Sequence, residues 1–168
     1  MRRNNIEIRN AQASDAQLLA KWWNDGKIMA HAGFPDGLGT SPEEVEEGLK
    51  TDEDRVRRRL ILEYDKEAIG EMSYRFKTGD KAEIGIKICV PTLREKGIGT
   101  QALTLLIEHL FNELDAKRII LDTNVTNHRA QHVYKKLGFE ETYYWFNAWT
   151  NQHGELQSSV HYQLLRTK

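Results

Sequence analysis

One cysteine, three prolines and no apolar run of membrane-spanning length set the first limits on this 168-residue chain. A lone Cys89 cannot form an internal disulfide and suits a reducing compartment, so a cytoplasmic protein is expected. The basic opening, Met1-Arg2-Arg3-Asn4-Asn5, is followed by no apolar stretch of the kind that a secretion signal needs. A formal net charge of −1 gives no electrostatic reason to expect nucleic acid or an anionic membrane as partner. Metal chemistry is not expected either, because HExxH, CxxC and clustered His/Asp patterns are all absent. The phosphate loop GxxxxGK[ST] is missing as well. Ala102 stands where the third glycine of GxGxxG would fall, which sets aside the dinucleotide fingerprint.

What is present is a globular composition, 29% charged and 39% hydrophobic, in a chain long enough for one core. No linker, repeat or low-complexity stretch divides it, so a single domain over residues 1–168 is expected. Ile6–Arg9 alternates as a strand, and Asp15–Asn24 carries Ala16, Leu19, Ala20 and Trp23 at helical spacing with Ser14 or Asp15 as N-cap. Ser41-Pro42-Glu43-Glu44 spells a capping box before a thin helix that buries only Val45 and Leu49, a candidate lid or substrate wall. The basic run Arg55, Arg57, Arg58 and Arg59 reads as a solvated face. Strands over Leu60–Tyr64, Ala68–Phe76 and Ala82–Val90 follow, joined by the turn sequences Asp65-Lys66-Glu67 and Thr78-Gly79-Asp80-Lys81. A helix over Gly97–Leu114 repeats Ile98, Ala102, Leu106, Leu110 and Leu114 every four residues. The apolar strand Arg118–Thr123 comes next, implying a parallel crossover. A helix over Asn127–Leu137 and a hairpin of Phe139–Trp149 with Leu156–Leu165 complete a mixed α/β fold. The expectation is about seven mostly antiparallel strands and about four helices.

The chemistry concentrates where the strand ending at Val90 breaks at Pro91 and reopens as a helix through Gly97 and Gly99. A helix start carries unpaired N–H groups and the positive end of the dipole, and glycines let that backbone approach an anion. A pyrophosphate is the natural occupant. The segment Arg94-Glu95-Lys96-Gly97-Ile98-Gly99 resembles the coenzyme A loop of the GCN5-related N-acetyltransferase (GNAT) superfamily. A second block, Asn127-His128-Arg129-Ala130-Gln131-His132-Val133-Tyr134-Lys135-Lys136-Leu137-Gly138-Phe139, resembles the helix that follows in that family, in the right order and with a strand between. The segment Leu19-Ala20-Lys21-Trp22-Trp23-Asn24-Asp25 is similar to the branch acting on ribosomal-protein N-termini, aminoglycosides and other small amines.

The resemblance implies transfer from acetyl-CoA to a primary amine, directly within a ternary complex and without a metal. It implies coenzyme contacts from Ile88, Cys89 and Val90 through their backbone. Arg94, Glu95, Lys96, Gly97, Ile98, Gly99 and Thr100 would contact it through the turn. Asn127 would contact the pantetheine or cap its helix. Tyr134 is implied as the general acid, or hydrogen-bond donor, at the departing thiolate. Glu83, eleven residues before Arg94, matches the spacing of a catalytic strand glutamate in the histone-acetylating branch, with Glu71 second and His31 third. Arg129, Lys135 and Lys136 are candidates for the 3′-phosphate, whereas His128 and His132 should face outward. Cys89 reads as a small core residue and not as a nucleophile. The exposed aromatics Tyr143, Tyr144, Trp145 and Trp149 fit a homodimer interface or the closing strands. A catalytically silent acyl-CoA sensor of the same fold is the alternative function.

Overall fold

The computed structural model describes residues 1–166. It contains eight strands and five helices. The strands are β1 (Arg2–Arg3), β2 (Ile6–Asn10), β3 (Arg57–Tyr64), β4 (Glu67–Lys77), β5 (Lys81–Ile88), β6 (Arg118–Asn124), β7 (Glu140–Thr150) and β8 (Leu156–Leu165). The helices are α1 (Ala16–Trp23), α2 (Gly26–Met29), α3 (Pro42–Leu49), α4 (Ile98–Asn112) and α5 (His128–Lys136). The mixed, mostly antiparallel sheet expected from the sequence is present; the two-residue β1 and the single-turn α2 are the additions. No described helix is long and apolar enough to cross a membrane.

The chain divides into two compact units, each discontinuous in sequence. The first comprises residues 1–12, 49–120 and 165–166, and its strands run in the order β1-β2-β3-β4-β5-β6. The described pairs are antiparallel except between β5 and β6, which are parallel from Lys81↔Arg118 to Glu83↔Ile120. The two hairpin turns form as their sequences specify. Asp65 and Lys66 both take positive φ (51° and 69°), as a two-residue turn that follows strand twist requires, and in the longer turn between Lys77 and Lys81 Gly79 and Asp80 are also at positive φ (77° and 53°).

Strand β3 begins three residues before the apolar run suggested. Arg57 and Arg59 pair with Asp52 at 3.4 and 2.7 Å, and Arg58 with Asp54 at 2.7 Å. The arginine run is therefore an ion-paired strand start and not a solvated face. Cross-strand register puts Ile8, Leu62, Gly70 and Ile88 on one face. Helix α4 packs on that face, since a Cβ at Gly99 would lie 3.4 Å from Ile88 Cδ1. Leu103, Leu106 and Leu110 are 0–1% exposed there. Burying a leucine that completely contributes about 1.5–3 kcal/mol, so tertiary packing holds α4 more firmly than helix propensity does.

The second unit comprises residues 13–48 and 121–164, and holds α1 to α3, the remainder of β6, α5, and β8 with β7 at the edge. The capping box forms as spelled: Glu44 N–H donates to Ser41 Oγ (3.1 Å), and Ser41 N–H to Glu44 Oε2 (2.9 Å). Asp15 does not cap α1 through its side chain. A 3₁₀ turn over Ala13–Asp15 leads into the helix, and Asp15 itself has helical dihedrals, which deny it the extended geometry of a cap. Gln152 ties the tip of the β7–β8 hairpin to the loop before α3. Its side chain accepts from Asp36 N–H (3.0 Å) and donates to Gly37 O (2.8 Å), while its own N–H donates to Gly33 O (3.0 Å).

Candidate active site

In the first unit the site is built by an irregularity at the end of β5. The N–H groups of Cys89 and Val90 both donate to one carbonyl, that of Ile69, at 2.8 and 3.2 Å. Two amides on one acceptor is the pattern of a β-bulge, which ends a ladder and re-aims the strand. Gly70 sits opposite. A Cβ there would fall 2.1 Å from Lys87 O, so only glycine lets the two backbones approach this closely. The bulge and Gly70 are missing from the sequence reading, although an isolated glycine inside a strand is the usual signal for such an approach.

The bulge also revises the backbone expectation. The amides of Cys89 and Val90 are spent on β4. Because Cys89 and Ile69 are a hydrogen-bonded pair, alternation turns the N–H groups of Ile86 and Ile88 to the other edge of β5. Those two isoleucines are only partly buried, unlike Ile84. Burial lifts the Cys89 thiol to about 12, with the Glu71 carboxylate adding to the effect, so it carries no thiolate at neutral pH.

Beyond the bulge, Pro91–Leu93 forms a 3₁₀ turn, and Leu93 and Arg94 N–H groups close it onto Val90 O and Pro91 O. Arg94 Nε donates to Ile88 O at 3.1 Å, which fastens the turn to the strand end. Glu95 and Gly97 then take positive φ of 64° and 76°, and α4 begins with Gly97 as N-cap. Gln101 is the first residue to donate back, to Gly97 O at 3.1 Å. No described residue accepts from the N–H of Lys96, Gly97, Ile98, Gly99 or Thr100. Five successive unpartnered amides at the positive end of a 15-residue helix make a cradle that fits a polyphosphate. Open space around Gly97 shows that its conformation, not its size, is what the turn requires.

Two carboxylates lie on the face of this sheet opposite α4. Glu71 is 7% exposed, directly across from Lys87 in register, and accepts from Lys87 Nζ at 2.8 Å. Glu83, the first expectation for the base, pairs with Lys77 at 3.2 Å and keeps 40% of its side chain exposed. It also stands five residues, about 16 Å along the strand, before Ile88. That places it far from the strand end where the amides of the turn gather. His31, the third candidate, lies on the surface of the second unit.

In the second unit Asn127 is a cap. Its Oδ1 accepts from Ala130 N–H at 3.3 Å and its Nδ2 donates to Thr123 Oγ1 at 3.1 Å. Tyr134 is 8% exposed, its ring edge-on to Tyr162 (5.6 Å) and tilted against Phe139 (6.0 Å). No described residue bonds its hydroxyl, yet no described side-chain polar atom is both fully buried and unpartnered. The phenolic oxygen therefore reaches the surface while the ring is packed. Burial, with help from Asp122 and Tyr162, raises this phenol to about 12, so it stays protonated and able to donate. His128 and His132 are exposed, as expected, and so are Arg129, Lys135 and Lys136; Lys135 pairs with Glu141 at 3.0 Å.

Comparison with known proteins bears on this geometry. The family profile described as "Acetyltransferase (GNAT) domain" matches residues 5–140. The spermidine N(1)-acetyltransferase of Escherichia coli K12 is 26% identical over 138 residues, covering 81% of this chain and 73% of that protein. Two solved structures share the fold. The spermidine N-acetyltransferase of Vibrio cholerae, solved with CoA and spermine, superposes with a TM-score of 0.85 at 23% identity, over 96% of this chain and 95% of the other. A GNAT-family acetyltransferase of Streptococcus pneumoniae gives 0.78 at 19% identity, over 96% and 99%. With the profile covering most of its length, this chain belongs to the GNAT family and is an acetyl-CoA-dependent N-acetyltransferase.

Proposed function

We propose that residues 1–168 act as one catalytic domain that transfers acetyl from acetyl-CoA directly to a primary amine of a small polycation such as a polyamine. The observation that carries the acceptor class is the charge of residues 24–48. This segment holds Asp25, Asp36, Glu43, Glu44, Glu46 and Glu47 against a single lysine, Lys27. All six carboxylates belong to exposed residues. Such a surface concentrates multivalent cations and disfavours anionic acceptors. The spermidine enzymes among the relatives support the same class.

The roles divide by chemistry. The amides of Lys96–Thr100 hold the pyrophosphate, and the Ile86 and Ile88 edge of β5 offers backbone to the pantetheine arm as another strand would. Glu71, charge-balanced by Lys87, is the preferred proton acceptor for the incoming ammonium, directly or through one water. Once neutral, the amine forms the C–N bond at the thioester carbonyl. As the C–S bond breaks, the sulfur takes the Tyr134 proton or its hydrogen bond. Asn127 orients the helix that carries Tyr134. A reducing compartment such as the cytoplasm suits a single unpaired thiol.

The test is thiol release from acetyl-CoA across spermidine, spermine, aminoglycosides, peptide N-termini and lysine peptides. Polyamines are expected to give the highest kcat/KM, with KM rising as salt is added, because exposed charges are screened beyond about 8 Å at physiological ionic strength. Turnover confined to peptide N-termini would overturn the polycation assignment and leave the transferase intact.

A further inference from the structure

Glu71 already holds an ammonium. Lys87 Nζ donates to Glu71 Oε1 at 2.8 Å, across a directly opposed pair of β4 and β5. The glutamate side chain is 10% exposed and the lysine side chain 34%, so the ammonium stands between a buried carboxylate and solvent. An ammonium can donate more than one hydrogen bond, yet among the described residues Glu71 is the only group that this one bonds or pairs with. One charge-assisted bond at the end of a flexible stem holds it there. The strip of sheet beside the pair is bare. On the same face, two residues along each strand, Ser73 lies opposite Gly85, and both are partly exposed. A Cβ at Gly85 would meet only Ser73 Oγ, at 3.2 Å. An unbranched alkyl chain can lie along this trough.

We infer that Lys87 is an internal competitor of the acceptor: in the free protein its ε-ammonium occupies the place on Glu71 that the acceptor's own primary ammonium takes. The inference rests on the assignment of Glu71 as proton acceptor. Leaving a buried carboxylate without its cation is strongly unfavourable. Exchanging one primary ammonium for another keeps both the charge of the site and the kind of bond, so Lys87 swings to solvent as the acceptor arrives. The exchange selects acceptors by charge. A neutral acceptor, such as an arylamine at neutral pH, brings no cation and leaves Lys87 in place. Competition also sets the working range, because a site closed about nine-tenths of the time raises an apparent dissociation constant about tenfold.

Two substitutions move the competition in opposite directions. Lys87→Met keeps the length and removes the charge, so KM for the amine should fall, by about tenfold at that occupancy. Lys87→Arg offers the carboxylate a bidentate fork and closes the site more firmly, so KM should rise. KM for acetyl-CoA is the internal reference and should hold within about twofold. The readout is steady-state thiol release with the panel amine of highest turnover, spermidine by expectation. KM rising from Lys87→Met through wild type to Lys87→Arg supports the competitor. A lysine that only braces the fold gives the reverse, since arginine keeps the brace and methionine loses it; that order, or any other, overturns the inference. Should Lys87→Met misfold, Lys87→Arg decides alone, because a KM at or below wild type overturns it. Glu71→Gln separates this failure from failure of the assignment beneath it. A loss of about tenfold in kcat/KM there, with the wrong order at Lys87, removes the competitor alone. An unchanged kcat/KM removes the proton acceptor and the competitor together.

Discussion

Tyr134→Phe separates a structural tyrosine from a chemical one, because the ring is packed while the hydroxyl bonds no described residue. The ring packs against Phe139 and Tyr162, contacts that phenylalanine keeps. The hydroxyl has no partner among the described residues, so its removal breaks no protein hydrogen bond. Stability should therefore change by less than about 0.5 kcal/mol, the range of substitutions that touch nothing specific. The loss should fall on the transition state. A hydrogen bond to a developing thiolate is charge-assisted and worth roughly 1.5–3 kcal/mol, which corresponds to roughly a ten- to 150-fold fall in kcat. If full proton transfer is also lost, the fall extends toward the 10²–10⁴ typical of general acids. KM for acetyl-CoA should stay within about twofold, since uniform binding is untouched. Because burial holds the phenol near 12, the wild-type kcat should show no alkaline limb from Tyr134 below about pH 11. Steady-state thiol release, with a thermal melt of each protein, measures all of this. A kcat within twofold of wild type, with an unchanged melt, would refute the assignment of Tyr134 to the leaving group.

Four other substitutions or conditions probe the remaining parts. At Gly97, φ is 76° in open space, so Gly97→Ala should cost about 1–2 kcal/mol of backbone strain and raise KM for acetyl-CoA. Gly97→Asn should recover most of both, because asparagine tolerates that conformation. Glu71→Gln should lower kcat/KM by more than tenfold while Glu83→Gln stays within threefold; the reverse order, read from pH–rate profiles, would return the base to Glu83. Gly70→Ala places a Cβ 2.1 Å from Lys87 O and should destabilise by about 3 kcal/mol in urea titration, the upper range for overpacking. Finally, Tyr74, Tyr134 and Cys89 are all raised to about 12 from 10.0, 10.0 and 9.0. Each holds its proton more tightly when folded. Above pH 9 the unfolded chain therefore binds fewer protons, and stability is fully present below that pH and lost progressively toward 12. Denaturant midpoints across that range check the sign.

Much of the fold was legible because its signals are local. The turn at Asp65-Lys66, the capping box at Ser41–Glu44 and the four-residue repeat of α4 each depend on neighbours in sequence, and each forms. The failures involve choices made elsewhere. Asp15 is the right residue type for a cap, but the preceding 3₁₀ turn fixes its dihedrals first. Arg57–Arg59 look solvated until Asp52 and Asp54 are brought beside them. The bulge at Cys89 is defined by which carbonyl accepts its amide, and no pattern within β5 encodes that. The choice between Glu83 and Glu71 is set in the same way. Eleven residues to Arg94 is a count along the chain, which says nothing about how much of that length is spent as extended strand.

The coenzyme-loop motif makes the distinction between spelling and geometry sharpest. As a string, RxxGxG suggests that its fixed residues touch the phosphate. In the structure each does something else. The Arg94 guanidinium is occupied with Ile88 O, tying the turn to the bulged strand. Gly97 supplies a left-handed N-cap that a side chain would strain, whereas Gly99 is an ordinary helical residue where a Cβ would make ordinary contact with Ile88. What remains to meet an anion is the backbone, the N–H groups of Lys96 to Thr100, which any residue possesses. The identities at 94, 97 and 99 therefore act by building the cradle and not by lining it. Of the variable positions, Lys96 and Ile98 contribute amides equally well. This accounts for a motif whose fixed residues are set by the backbone they shape, while the side chains between them stay open.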